Sequence, residues 1–294
     1  MVSEISILIP VYNQNVLPLV EALLLQASSL TVPYEIRVYD DGSSAEVKSV
    51  NQRLSSQPNV VYQEVAENIG RSKIRYLLAQ EAQYEWLLFL DNDVLPAKED
   101  FLLKYIQNSK APVAVGGVAY QEKYPREAKL RWLYGKNREQ ASSFNRQKTP
   151  YDRVFFSNLL LKKQVFLTAM AGIAVQGYGH EDSLFAHRLK LEQVDVQHLD
   201  NYVYHLGLES ADVFLAKTEQ AIENLVHLQK TEGLGQESML FKTYCKLKST
   251  GLVGRLKSQL HWLLPVLRRN LRSENPSLFL FDLYKLLLLI KYVK

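Results

Sequence analysis

The most constraining feature of the sequence is a run of five apolar residues, Trp86–Leu90, that ends abruptly in Asp91, Asn92 and Asp93. An apolar run of this length predicts a β-strand buried on both faces, as in a parallel sheet covered by helices. Ligands of such sheets bind beyond the carboxyl ends of the strands, where the three polar residues would lie. Carboxylate oxygens there suit a hard divalent cation. A simple turn leading into a helix is the alternative interpretation.

The first part of the chain alternates short apolar runs with segments of helical periodicity. Strands are predicted at 5–9, 35–39, 60–63, 86–90, 113–120, 154–161 and 194–198, and helices at 16–29, 44–54, 72–82, 98–108 and 182–191. Strands separated by helices imply right-handed crossovers, so we predict an α/β fold with a mainly parallel sheet and helices on both faces.

Composition and charge predict two domains. The chain has 294 residues, 47% of them hydrophobic, which is ample for a core, and a single cysteine, Cys245, which fits a reducing compartment. The first residues lack a basic segment before the apolar run, which argues against a signal peptide and favours the cytoplasm. Glycines interrupt a helical pattern at 233–235, so we predict domains at 1–235 and 236–294.

Positive charge is concentrated at the C-terminal end. Residues 241–294 contain 11 Lys and Arg against two acidic residues, a net charge of +9, which leaves −5 for residues 1–240. Two amphipathic segments, 252–271 and 278–293, are too charged to span a membrane. They fit peripheral contact with the inner face of an anionic cell membrane, or packing on the first domain or against a second copy. Their apolar content argues against nucleic acid.

A second acidic pair, Asp40 and Asp41, ends the second predicted strand and would emerge at the same edge of the sheet as Asp91. The ordered segments 5–13 (ISILIPVYN), 40–44 (DDGSS), 68–70 (NIG) with Arg75 downstream, and 89–93 (FLDND) resemble the motifs of family-2 glycosyltransferases with the GT-A fold. That resemblance implies a Rossmann-like catalytic domain and an inverting transfer from a nucleotide sugar, with a UDP-sugar as the expected donor.

The resemblance also assigns roles to individual residues. It implies that the nucleotide-sugar donor and its divalent metal (Mn²⁺ or Mg²⁺) are bound by Pro10, Tyr12, Asp40, Asp41, Asn68, Arg75, Asp91 and Asn92, with Asp93 and Asp91 as metal ligands. His205 follows a short apolar run at a point where related enzymes place a metal-ligating histidine, but a structural role is an equal alternative. Asn158 matches a position near the donor sugar or fixes an irregular backbone.

Inverting transfer also needs a base for the acceptor hydroxyl. The segment 177–182 (GYGHED) resembles the family's Glu-Asp motif, which implies Asp182 as the base and Glu181 as a neighbouring acid that binds sugar hydroxyls. A favourable helix start is the alternative. The aromatic and basic segment 120–152 is either an acceptor-binding loop or a surface helix over 126–140.

The sequence therefore predicts an inverting glycosyltransferase that acts on a glycan or lipid-linked acceptor. A nucleotidyltransferase is the first alternative, but Pro10-Val11-Tyr12-Asn13 stands where its glycine-rich phosphate loop would be. The second is a non-catalytic protein that binds sugar nucleotides or glycans. The sequence does not specify the sugar, the acceptor or the oligomeric state.

Overall fold

A computed structural model describes residues 2–172 and 179–293. The strands are β1 (Ile5–Val11), β2 (Tyr34–Asp40), β3 (Val60–Glu64), β4 (Trp86–Leu90), β5 (Val94–Pro96), β6 (Val113–Val115), β7 (Val118–Ala119), β8 (Asn158–Lys162), β9 (Val196–His198) and β10 (Val203–His205). The helices are α1 (Leu17–Ala27), α2 (Ala45–Asn51), α3 (Arg71–Glu81), α4 (Phe101–Asn108), α5 (Lys129–Tyr134), α6 (Ser143–Gln147), α7 (Lys163–Met170), α8 (Glu181–Leu191), α9 (Ala211–Glu232), α10 (Met239–Ser249), α11 (Leu252–Leu271) and α12 (Leu278–Tyr292).

The chain divides into two compact units. The sheet unit comprises residues 1–121, 139–174 and 185–207, and the helical unit comprises 122–138, 175–184 and 208–294. The predicted boundary near residue 235 lies within the helical unit, between α9 and α10. The division into domains at residue 235 stays a prediction.

The sheet unit contains a seven-stranded sheet in the order β3-β2-β1-β4-β8-β6-β9. Strands β1 to β4 pair in parallel, as does β6 with β9, whereas β8 runs antiparallel to both β4 and β6. The predicted α/β fold with a mainly parallel sheet is confirmed. The carboxyl ends of β1, β2 and β4 meet at one edge, so the acidic motifs that follow β2 and β4 share that edge.

The core on one face of this sheet is rich in phenylalanine. Phe89 of β4 packs on Phe156 and Phe166, with ring centroids 5.3 and 4.7 Å away, and Phe185 of α8 completes the group. All four rings are fully buried. Each ring removes a large apolar area from water, so this cluster fixes α7 and α8 against β4.

A smaller three-stranded sheet, β5-β10-β7, lies next to the acidic motif. Its strand β5 begins directly after Asp93 and pairs antiparallel with β10, with His205 opposite Val94. The single strand predicted over 113–120 is wrong, because Gly117 takes a φ of 90° and breaks it into β6 and β7. This break lets β7 leave the main sheet and join β10.

The helical unit is held together by α9. Phe214 of α9 stacks on Phe281 of α12 at 5.3 Å, and Tyr134 of α5 lies 5.5 Å from both rings. Glu219 of α9 accepts hydrogen bonds from Arg268 of α11 and Lys291 of α12, each at 2.7 Å. Segments 252–271 and 278–293 thus form helices, and α12 is a packed helix with a buried apolar face. Among the described helices, none is both long enough and apolar enough to cross a membrane.

Part of the segment predicted as an acceptor-binding loop or a surface helix packs within the helical unit. It contains a 3-10 turn at Arg126–Ala128, then α5, then a π-helical turn at Gly135–Glu139. Trp132 stacks on Tyr124 at 4.1 Å. Arg126 pairs with Glu274 and Lys129 donates to Asn275, both in the turn between α11 and α12, and Arg138 pairs with Asp282 of α12.

Candidate active site

Two loops at the carboxyl edge of the sheet are tied to each other by hydrogen bonds. The backbone N–H of Asn13, after β1, donates to Ser43 Oγ at 2.8 Å, and the N–H of Ser44, after β2, donates to Asn13 Oδ1 at 2.9 Å. Asn13 has a φ of 51°, which asparagine tolerates better than most residues. Pro10 and the exposed Tyr12 come just before Asn13 in the sequence. The two hydrogen bonds therefore hold the end of the predicted nucleotide-binding segment against the loop after β2.

The acidic pair after β2 shapes the neighbouring loops. Asp40 is fully buried, and its Oδ1 accepts from Ser43 N–H at 2.7 Å. The two carboxylate oxygens of Asp41 accept from the N–H groups of Ile69 and Gly70, at 2.7 and 3.1 Å. Burial raises the pKa of Asp41, and these two hydrogen bonds oppose the rise. These contacts give Asp40 and Asp41 a structural role in the loops. Their role in nucleotide binding stays a prediction.

Gly42 allows the loop after β2 to approach the next loop closely. It has a φ of 79°, and a Cβ there would lie 2.7 Å from the backbone nitrogen of Asn68. The exposed Asn68 is therefore brought beside the loop after β2, where the sequence predicts nucleotide contact.

The helix that follows this loop, α3, carries two arginines, Arg71 and Arg75, whose charges act on the motif after β4. Arg75 is buried, donates to Asp91 Oδ1 at 2.6 Å, and has its guanidinium 4.8 Å from the ring of Phe156. Burial by itself would raise the pKa of Asp91, but the charges of Arg75 and Arg71 and the hydrogen bond from Arg75 outweigh it and lower the pKa. Arg71 escaped sequence reasoning, although its spacing of four from Arg75 puts both on one helix face.

Asp93 and His205 face each other across the pairing of β5 with β10. Their Oδ2 and Nε2 atoms are 3.8 Å apart, and the His205 ring stacks on Tyr120 at 5.7 Å. The backbone N–H of Leu206 donates to the carbonyl of Asp93 at 2.8 Å. A Cβ at Gly207 would lie 2.0 Å from Asp93 Oδ2, so only glycine leaves this carboxylate in place. The sequence does not point to Gly207, because its close approach to Asp93 is a contact between residues far apart in the chain.

The two side chains fit a divalent cation. Each ligand stands about 2.1 Å from an ion such as Mg²⁺, so atoms 3.8 Å apart can share one. Over the described ranges, however, no three His, Cys, Asp or Glu side chains gather as a metal cluster. Asp93 and His205 therefore suit an ion that takes most of its oxygens from a bound phosphate group and from water. Asn92 is half-buried in the same turn.

Asn158 belongs to a buried network that supports the edge of the site. Its amide donates to the carbonyls of Gly117 and Asn201, each at 2.8 Å, and its Oδ1 accepts from Tyr105 at 2.7 Å. Both amide hydrogens are thus used within the fold, which favours the backbone-fixing interpretation over contact with a sugar. The buried Arg146 adds bonds to the carbonyls of Val115, Gly116 and Leu199.

The predicted base lies in the helical unit. Glu181 is buried and Asp182 is partly exposed in the first turn of α8. Before them, Asn224 of α9 donates to the carbonyl of Gly179 at 2.6 Å, and a Cβ at Gly179 would lie 2.7 Å from that of Ala221. Helix α9 therefore positions the start of α8. Gly177 and Tyr178, which open this motif, lie outside the described residues.

The sequence comparison establishes the family. The family model described as "Glycosyl transferase family 2" matches residues 6–166, more than half of the chain. The chain therefore belongs to glycosyl transferase family 2 and is a glycosyltransferase with the GT-A fold. No curated protein sequence matches it.

Solved structures share the fold at low sequence identity. A mannosyltransferase, PcManGT from Pyrobaculum calidifontis, in complex with GDP-Man and Mn²⁺, is 15% identical with a TM-score of 0.54. That match covers 77% of this chain and 64% of PcManGT, which is less than two thirds of that enzyme. S. aureus TarS 1-349 is 14% identical with a TM-score of 0.51, and the match covers 96% of this chain and 89% of TarS 1-349.

Proposed function

We propose that this glycosyltransferase moves a sugar from a nucleoside diphosphate sugar to a glycan or lipid-linked acceptor, with inversion at the anomeric carbon. A UDP-sugar is the donor that the sequence motifs favour, and a GDP-sugar is the alternative, because PcManGT is described with GDP-Man and Mn²⁺. The observation that carries the proposal is the group formed by Asp93, His205, Asp91 and Arg75 at the edge of the sheet.

The charges of this group suit a diphosphate. A divalent ion bound to Asp93 and His205 would supply positive charge to the leaving diphosphate. Arg71 and Arg75 add positive charge beside the acids, so an anionic donor is attracted to a site that also contains carboxylates. Pro10, Tyr12 and Asn68 are assigned to the nucleoside, and Asn92 to the donor near the diphosphate.

The chemical step is a single displacement. Asp182 takes the proton of the acceptor hydroxyl while the oxygen of that hydroxyl attacks the anomeric carbon. The bond from that carbon to the diphosphate oxygen breaks, and the nucleoside diphosphate leaves with the bonding electron pair. Glu181 is assigned to hydroxyl groups of the donor or acceptor.

Metal-dependent binding of nucleoside diphosphate tests the proposal. The intact protein is titrated with UDP and with GDP, with and without Mn²⁺, by calorimetry, and Asp93→Ala is titrated in the same way. We expect tight binding of one diphosphate only with Mn²⁺, and its loss in Asp93→Ala. The control is Asp195→Ala, which removes an exposed aspartate just before β9, at the opposite edge of the sheet.

Two further outcomes bear on the proposal. Equal diphosphate affinity with and without metal in the unaltered protein overturns the metal site. With a donor sugar of that nucleotide and an acceptor that support transfer, NMR of the transferred sugar gives its anomeric configuration, and retention of configuration overturns the single displacement.

A further inference from the structure

The lysines and arginines of residues 241–293 fall into two sets. The first set is neutralised by acidic partners within the helical unit: Arg268 and Lys291 by Glu219, Arg272 by Asp212, and Lys285 by Asp282. The second set is exposed and, across residues 2–172 and 179–293, forms no ion pair with an acid: Lys242, Lys246, Lys248, Arg255, Lys257 and Arg269. The second set therefore carries positive charge that the fold itself does not use.

Part of this charge lies on one face of α11 together with apolar side chains. Arg255, Trp262, Val266 and Arg269 are spaced by seven, four and three residues, which places them on the same side of a helix. All four are exposed, with Trp262 at 51% and Val266 at 63%. They extend over about 21 Å of helix at 1.5 Å per residue. We call these four residues the outer face of α11.

The opposite side of α11 already has its partners. Leu267 and Leu271 are buried, and Arg268 donates to Tyr284 of α12 at 3.0 Å and to Glu219 of α9. The outer face therefore does not belong to the core of the helical unit. It is a solvent-facing stripe in which two apolar residues stand between two arginines.

We propose that the outer face of α11 docks on the surface of an anionic lipid bilayer. Lipid phosphates neutralise arginines, and tryptophan is favoured at the boundary between headgroups and acyl chains, so a bilayer satisfies both kinds of side chain at once. A soluble polyanion would pair with Arg255 and Arg269 but would leave Trp262 and Val266 in water. The net charge of +9 over residues 241–294 has the sign that an anionic surface attracts. The proposal does not depend on the donor, the metal or the base.

Flotation of the full chain with vesicles tests the proposal. The probes are vesicles of phosphatidylcholine alone and of phosphatidylcholine with phosphatidylglycerol, compared for the parent, Arg255→Glu/Arg269→Glu and Trp262→Ser/Val266→Ser. We expect the parent to bind only the anionic vesicles. The charge reversal should weaken that binding by about 30-fold or more, because each of the two basic residues near such a surface contributes about fivefold to the affinity.

The matched controls lie in the sheet unit. Arg53→Glu/Lys110→Glu makes the same charge change at two exposed residues, and Leu25→Ser removes an apolar side chain that is 76% exposed. Both controls should bind anionic vesicles within about twofold of the parent. Since all substituted residues are exposed, circular dichroism and thermal melting should show the parent's fold in every variant.

Three outcomes decide against the proposal. A parent that ignores anionic vesicles overturns it, and so does a charge reversal on α11 with no more effect than Arg53→Glu/Lys110→Glu. If Trp262→Ser/Val266→Ser binds as tightly as the parent, the outer face of α11 recognises charge alone, and the proposed docking of its apolar residues on the bilayer is wrong. Binding of heparin in solution by the parent would then identify a polyanion site.

Discussion

At the scale of single residues, Gly207 controls the position of Asp93, although it has no side chain to contact a ligand. We predict that Gly207→Ala weakens Mn²⁺-dependent binding of nucleoside diphosphate by about 10- to 100-fold, the usual effect of disturbing what orients a metal ligand. The reason is that the added methyl group lies 2.0 Å from Asp93 Oδ2 and must turn the carboxylate away. Calorimetry with and without Mn²⁺ measures this effect.

Gly254→Ala is the matched control, because a Cβ at Gly254 in α11 meets nothing within 4 Å. It should leave diphosphate binding unchanged and raise helix stability by up to about 1 kcal/mol. Equal diphosphate affinities for the Gly207→Ala variant and the parent would show that Asp93 tolerates the displacement or does not bind the metal.

Asp182 gives a prediction that separates binding from chemistry. Asp182→Asn keeps the size of the side chain but removes the base, so transfer should fall by about 100-fold or more while donor affinity stays nearly unchanged. Initial rates and donor titration measure the two quantities. Glu181→Gln is the companion variant; if Glu181→Gln loses the larger share of turnover, the base is Glu181 instead.

His198 makes stability depend on pH. Burial lowers its pKa to about 4, and the nearby charge of Arg146 adds to this effect against the hydrogen bond to the Pro150 carbonyl. The Nδ1 atom lies 2.8 Å from Arg146, so it accepts, and the proton sits on Nε2 facing Pro150. A second proton on Nδ1 would face the guanidinium.

Because the folded pKa lies below the unfolded value of about 6.5, the neutral form of His198 stabilises the fold fully above pH 6.5, and this contribution is lost as pH falls toward 4. We predict that the free energy of unfolding falls by about 3 kcal/mol over that interval on account of His198. Urea unfolding of the parent and His198→Gln at several pH values measures this. The slope with pH should be smaller in His198→Gln, and equal slopes would contradict the prediction.

At the scale of elements, Asn158 joins β8 to two loops that no hydrophobic pattern specifies. Asn158→Leu leaves the carbonyls of Gly117 and Asn201 and the hydroxyl of Tyr105 without this partner. The Gly117 carbonyl keeps the Val203 N–H, and the Tyr105 hydroxyl keeps the backbone carbonyl of residue 158, so the Asn201 carbonyl is the group left unsatisfied. The free energy of unfolding should therefore fall by about 1–3 kcal/mol. Denaturant unfolding measures it. Asn108→Leu changes an exposed asparagine on α4 and should stay within about 0.5 kcal/mol of the parent.

The elements also show what sequence patterns can and cannot specify. Strands β1 to β4 and helices α1, α3, α11 and α12 follow from apolar periodicity, since each buries a face that its own residues define. Strands β5 and β10 have three residues each and depend on pairing within the small sheet, β5 with β10 and β10 with β7. The antiparallel direction of β8 likewise depends on tertiary pairing, which a run of leucines does not encode.

The site divides in the same way. The acids after β2 and β4 can be identified from the sequence because they interrupt apolar runs. Arg75 can be identified because it follows the segment 68–70 (NIG) of the family resemblance. The loop-binding contacts of Asp41 with Ile69 and Gly70 are not visible, because they depend on the path of a loop 28 residues away. Gly207 was missed for the same reason, because its importance lies in its distance to Asp93. Arg71 shares a helix face with Arg75, but its effect on the charge of Asp91 becomes evident only from the fold.

At the scale of the whole molecule, residues 241–293 are part of a packed unit and also carry positive charge that forms no ion pair among the described residues. Phe281→Ala should cost about 3–5 kcal/mol in the stability of the helical unit, because the ring is 2% exposed and stacks on Phe214. Phe279→Ala, two residues earlier and 76% exposed, should stay within about 0.5 kcal/mol of the parent. Thermal unfolding compares the two, and similar losses would mean that α12 is not packed as described.

The single cysteine of the chain, Cys245, is exposed on α10. A thiol-reactive fluorophore would therefore attach at one known place in the unaltered protein, without any engineered background. Helix α10 precedes α11 in the same unit and carries the basic residues Lys242, Lys246 and Lys248. A polarity-sensitive dye at Cys245 would report, in real time and on every molecule, whether this part of the surface stays in water or enters another medium.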